Sequence, residues 1–181
     1  VFDEDGNYLG PVTIIIILDV HTRCILGYCM RVGRGESSSA VIHAIRHALC
    51  PKPEGSFHTT KGNEWFCYGV FENFVVDGGS AFQSIATQSY LRRVCGVFTE
   101  TVPTASGWLK PFVERFNWTI RVMFASVMPG YTGPMKDQKL LEHSIREAAT
   151  LTLSELREYF ESWIVDDYRG DTAFDRHFDF F

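Results

Sequence analysis

Two carboxylates stand where a strand and a helix can bring them together. Asp77 closes the apolar start of Phe74-Val75-Val76-Asp77-Gly78-Gly79-Ser80-Ala81-Phe82, followed by a glycine pair and a serine suited to begin a helix. That order predicts strand, turn and helix, with Asp77 at the strand's C-terminal edge, where open α/β sheets hold ligands. Glu114 lies in Lys110-Pro111-Phe112-Val113-Glu114-Arg115-Phe116-Asn117, a predicted helix with proline in its first turn and the glutamate one turn in. Between the two acids there is room for one helix and one strand, so both can converge over the edge of one sheet. Acidic oxygens held that close repel each other unless a cation sits between them, so the pair predicts a metal site.

The elements needed to position this pair can be read along the chain. Val1-Phe2 reads as the end of a strand, because Asp3-Glu4-Asp5-Gly6-Asn7 is turn chemistry. Val12 to Leu18 is apolar on both faces, as a strand covered by helices on each side should be, and Cys24 to Arg31 supplies the third strand of a meander. Ser37, Ser38 and Ser39 offer caps for a helix to Leu49, with Val41, Ile45, Ala48 and Leu49 inward and His43, Arg46 and His47 outward. His43 and His47 have the spacing of a helical metal pair, but without a third ligand they read as a solvated face. Residues 51–72 read as an inserted loop with room for a short helix or strand of its own. A helix over 80–92, a strand over 97–102, the Glu114 helix to Val127, a break at Pro129-Gly130-Tyr131-Thr132-Gly133-Pro134 and a helical patch over 140–148 follow. A capping box, Thr152 with Glu155, opens a last helix whose apolar face is Leu156, Tyr159, Phe160, Trp163 and Ile164.

The 181 residues fit one domain, or one domain with an appendage, and 45% apolar and 14% aromatic content fit an ordinary core. A net charge of −5 carries no overall nucleic-acid signature and leaves room only for a local basic strip. Five cysteines without a CxxC pair argue against a zinc site or a disulfide framework and for free thiols in a reducing compartment. The longest apolar run, Val12 to Val20, contains Thr13 and Asp19 and is too short to span a bilayer, so a cytoplasmic protein without membrane partners is expected.

Taken in order, several segments resemble the catalytic core of retroviral-type integrases and bacterial DDE transposases, most of all the Mu-like branch. They are Leu9-Gly10-Pro11, Leu18-Asp19-Val20-His21-Thr22-Arg23-Cys24-Ile25-Leu26-Gly27, the Asp77 and Glu114 stretches, Pro129-Gly130-Tyr131, and Leu151-Thr152-Leu153-Ser154-Glu155-Leu156 ahead of Tyr168. The resemblance implies an RNase H-like α/β fold: a mixed five-stranded sheet flanked by helices over residues 1–128, then a linker and C-terminal helical extension over 129–181. It implies that Asp77 is the second catalytic aspartate and Glu114 the catalytic glutamate, both ligands of Mg²⁺ or Mn²⁺, with two ions in the intact site. Asp19 matches a recurrent non-catalytic aspartate. The first catalytic aspartate is expected before Val1, so this stretch alone is expected to be inactive. The implied partners are transposon-end and target DNA, within a homo-oligomeric complex acting at the nucleoid of a bacterium.

Two-metal phosphodiester hydrolysis and strand transfer use one ion to activate water or a 3′-hydroxyl and one to stabilise the leaving oxygen. Hard carboxylate oxygens suit such ions. Arg121, two turns beyond Glu114, and Lys110, one turn before it, are candidate phosphate contacts, with Arg115 a third. Gly107 and Trp108 sit in the loop that approaches substrate in the family. Two rivals remain: a nuclease that only hydrolyses, and a non-catalytic RNase H-like module kept for DNA binding or assembly.

Overall fold

The computed structural model describes residues 1–52, 55, 57, 59–76, 80–101, 110–131 and 149–168, with side chains described for all of these except 80, 98–101 and 110–113. Val12–Leu18 forms β1 and Ile25–Val32 forms β2, an antiparallel pair running from Val12 opposite Val32 to Leu18 opposite Ile25. Asp19 closes the turn between them. Its carboxylate accepts from the Thr22 hydroxyl and, at 2.9 Å, from the Thr22 N–H, while Arg23 takes a left-handed conformation (φ 64°). Burial raises the Asp19 pKa, but the hydrogen bonds from Thr22 and His21 outweigh it and hold the carboxyl below its usual range.

Both faces of β1 are apolar because both are covered. Ile15 and Ile17 join a core with helix α1 (Ser38–Leu49), whose Val41, Ala44, Ile45 and Ala48 have no exposed surface. Ile14, Ile16 and Leu18 pack against a second core that contains Ile25, Tyr28, Trp65, Phe124, Phe160 and Trp163. Helix α1 starts where the serines predict, with the Ser37 hydroxyl accepting from the Ala40 N–H at 3.3 Å. It lies so close to β2 that a Cβ on Gly27 would be 2.4 Å from the backbone nitrogen of Ala48 and 2.7 Å from its Cα.

Asn73–Val76 forms β3 and Phe98–Thr101 forms β4, a parallel pair with Asn73 opposite Phe98 and Val76 opposite Thr101. Among the described residues the strands form these two pairs, β1 with β2 and β3 with β4. The first core joins them, since it includes Phe74 and Val76 from β3 as well as β1 and α1. The helix expected over 80–92 is divided at Ser84 into α2 (Ser80–Gln83) and α3 (Ile85–Tyr90), because the Ser84 hydroxyl caps the second piece by accepting from the Thr87 N–H at 3.2 Å. A π-helical turn, Leu91–Cys95, carries the chain to Gly96.

Helix α4 (Lys110–Thr119) continues through a π-helical turn, Ile120–Phe124, and a 3₁₀ turn, Ala125–Val127, so the expected helix reaches Val127 with a loosened end. Helix α5 (Leu153–Ser162) opens with the expected capping box. The Thr152 hydroxyl accepts from the Glu155 N–H at 3.2 Å, and Glu155 accepts from the Thr152 N–H at 2.8 Å. A last π-helical turn, Trp163–Tyr168, follows.

Two expectations need correction. The opening meander forms only in part: Phe2 folds back antiparallel to Tyr8 across the expected turn, just ahead of β1, and also bridges Thr152, but it adds no third strand to the β1 and β2 pair. The Asp3 carboxylate, accepting from the N–H groups of Asp5 at 3.0 Å and Asn7 at 2.7 Å, fixes that turn, and the pairing ends within the residues ahead of Val12. Nor does His47 lie on a solvated face; it is half-buried against Tyr28 and Trp65. Residues 51–72 contain no regular element among those described and are anchored by buried Trp65, whose indole N–H donates to the Ile25 carbonyl at 3.0 Å. The patch expected over 140–148 and residues 172–181 lie outside the described residues.

Candidate nucleic-acid interface

Among the described residues, helix α4 and its continuation are held by an apolar row. Phe116, Ile120 and Phe124 are spaced one turn apart, and all three pack into the second core. Phe116 meets Tyr168 edge to face at 5.9 Å between ring centroids, and Phe124 meets Phe160 at 5.1 Å and Trp163 at 5.5 Å. Anchoring that row turns Glu114, Arg115, Trp118, Arg121 and Val122 outward, and all five are exposed. Three residues singled out from the sequence therefore share the outer surface of one helix: Glu114, Arg115 and Arg121.

The remaining sequence candidates are described less fully. Lys110 opens α4, but its side chain is outside the described residues. Asp77, the residue after β3, also lies outside them, as do Gly107 and Trp108. Among the described residues no group of three or more His, Cys, Asp or Glu is placed to hold a metal ion, and no helix is long and apolar enough to cross a membrane.

Beneath this surface the polar groups of the second core serve the fold. The buried Tyr28 hydroxyl donates to the buried Glu161 carboxylate, and burial, reinforced by that carboxylate, pushes the phenol pKa up. Lys52 donates to the carbonyls of Leu26 at 2.5 Å and Cys67 at 3.0 Å, with Trp65 5.2 Å away, and burial brings its ammonium down to about 8. His47 accepts from the Tyr28 N–H at 3.1 Å, and burial, helped by the charge on Lys52, lowers its pKa to about 4.

Below about pH 6.5 the unfolded chain takes up a proton at His47 that the folded chain refuses until about pH 4, so stability falls as pH drops through that window. We expect a loss on the order of 2 kcal/mol from this residue, discounted for its partial exposure. His47→Gln should flatten the stability profile between those two pH values. Thermal melts across the range will show it; an unchanged slope would mean that His47 titrates normally.

Sequence reasoning overlooked Trp118 as a surface residue. The signal was present, since the Phe116, Ile120 and Phe124 spacing assigns the buried side of α4 and leaves Trp118 off it. Asp166 was also missed, because its partners at 59–63 are about a hundred residues away in sequence.

The exposed basic helix, set on a mixed α/β framework, belongs to a transposase-associated domain. The family model described as the TnsB C-terminal domain matches residues 1–130, most of the chain, and the chain belongs to that family. The matched span takes in β1 to β4 and α4 and stops short of α5. No curated protein sequence matches the chain.

Proposed function

We propose that this domain binds DNA during transposition and is an RNase H-like core for metal-dependent phosphodiester hydrolysis and strand transfer. The observation that carries the reading is the outward placement of Glu114, Arg115 and Arg121 on one firmly anchored helix, since a carboxylate beside cations suits a phosphate bound through a metal ion. Asp77 and Glu114 are the proposed ligands of Mg²⁺ or Mn²⁺, whose oxygen preference fits two carboxylates. Two such ions, when bound, supply an activated nucleophile and a stabilised leaving oxygen. Lys110, Arg115 and Arg121 hold the phosphate backbone, and further copies of the chain complete the active complex on paired DNA ends.

The test combines melting and joining. Mn²⁺ at ten times its dissociation constant should stabilise the protein by about 1.4 kcal/mol, a rise of about 3–6 °C, and Asp77→Asn or Glu114→Gln should each abolish the rise. A rise that survives both substitutions removes the two residues as ligands. On pre-cut ends and a target plasmid, the full-length protein should yield joined product. Cleavage without joining would leave a nuclease, and DNA binding without either reaction would leave a non-catalytic module.

A further inference from the structure

Trp118 is 61% exposed on a protein that buries Trp65 and Trp163 almost completely. Leaving an indole in water forgoes one of the larger burial gains available to a side chain, so its position calls for a partner. It lies one turn beyond Glu114. On a helix advancing about 100° per residue, Trp118 sits about 60° from Arg115 on one side and about 60° from Arg121 on the other, with Val122 beside it. The π-helical turn that begins at Ile120 widens the spacing ahead of Arg121. No ion pair among the described residues occupies either arginine.

Flat apolar surface flanked by two cations is complementary to a nucleic-acid strand: phosphates meet the guanidinium groups and a base meets the ring. In an intact duplex each base face is already covered by its neighbours, so the indole can stack only on an unpaired base. We propose that Trp118 is a stacking platform for an unpaired DNA base next to the phosphate held near Glu114, with Arg115 and Arg121 gripping the flanking backbone. This rests on the DNA-binding reading above and adds a preference for frayed or single-stranded ends.

The test measures affinity for two DNAs, a blunt duplex and the same duplex with a single-stranded tail, by fluorescence anisotropy at fixed salt. The wild-type protein should prefer the tailed DNA. Trp118→Ala should weaken tailed binding by about ten- to a hundredfold, the contribution of one stacked base, and leave blunt binding within about twofold. Trp118→Phe, which keeps an aromatic face, should retain most of the preference. Equal weakening on both DNAs, or none on either, overturns the proposal while leaving DNA binding in place. A shift of Trp118→Ala from dimer to monomer in sedimentation, with both affinities intact, also overturns it by assigning the surface to a second copy of the chain. If the wild-type protein binds neither DNA, the proposed function itself fails.

Discussion

Gly27→Ala should lower the melting temperature by about 6–12 °C, corresponding to about 3 kcal/mol for a chain of this size. At an ordinary backbone conformation, exchanging glycine for alanine stabilises by about 0.4–1 kcal/mol through the unfolded chain, so the sign depends on the surroundings. Here the new methyl would stand 2.4 Å from the Ala48 nitrogen and 2.7 Å from its Cα. These are backbone atoms, which cannot rotate away as the end of a side chain can. Either α1 lifts off the sheet, opening the core around Val41, Ala44 and Ile45, or β2 bends away from β1. Adding Ala48→Gly removes only the 2.9 Å contact to the Ala48 Cβ and should restore little. Urea melts of the single and double variants check this; full rescue by the second change would locate the clash in the side chain.

Asp166→Ala should cost about 3 kcal/mol and change the acid stability of the protein. The Asp166 carboxylate accepts from the Thr60 N–H at 2.6 Å, the Thr59 hydroxyl at 2.7 Å, the Thr60 hydroxyl at 2.9 Å, the Asn63 amide and Ser162 hydroxyl at 3.0 Å each, and the Lys61 N–H at 3.2 Å. One side chain 7% exposed thus fastens the 59–63 segment to the end of α5. The neighbouring pair, Lys61 with Asp167 at 2.7 Å, is more than half exposed at both ends and contributes little by comparison.

Burial raises the Asp166 pKa, and the hydrogen bonds from Thr59, Thr60 and Ser162 outweigh it, leaving the carboxyl far below its usual range. A depressed folded-state pKa gives stability that is complete above the ordinary aspartate value near 3.9 and is lost as pH falls below it. The Asp166 window therefore lies below the His47 window. Asp166→Asn should keep the shape but remove the slope under about pH 4, leaving the decline between pH 6.5 and 4 untouched. Melts in acidic buffers will test this, and an unaltered acid limb would rule out Asp166 as the titrating group.

Features governed by neighbouring residues were legible in the sequence. The Ser37 cap, the capping box at Thr152 and the two apolar faces of β1 are patterns complete within a few positions, and each appears in the structure as read. What escaped depends on distant partners. His47 follows the helical period of a solvated position, but Trp65, eighteen residues on, folds over it. The bond from the Phe2 N–H to the Leu151 carbonyl joins segments that share no local pattern. Of the candidate interface, periodicity gave the outward side of α4. The expected meeting of Asp77 with Glu114 was read from their placement on a strand and a helix and from the resemblance, and Asp77 lies outside the described residues.

The two faces of the β1 and β2 hairpin also differ in when they can close. The first core is assembled largely from residues 15–97, so the hairpin, α1 and β3 can pack while the ribosome is still making the rest. The second awaits contacts such as Tyr28 with Glu161, 133 positions apart, and Thr60 with Asp166, 106 apart. Until that last segment emerges, the face carrying Ile14, Ile16 and Leu18 lacks Phe160, Trp163 and Ile164, and an apolar surface left partly open on a nascent chain is a starting point for aggregation.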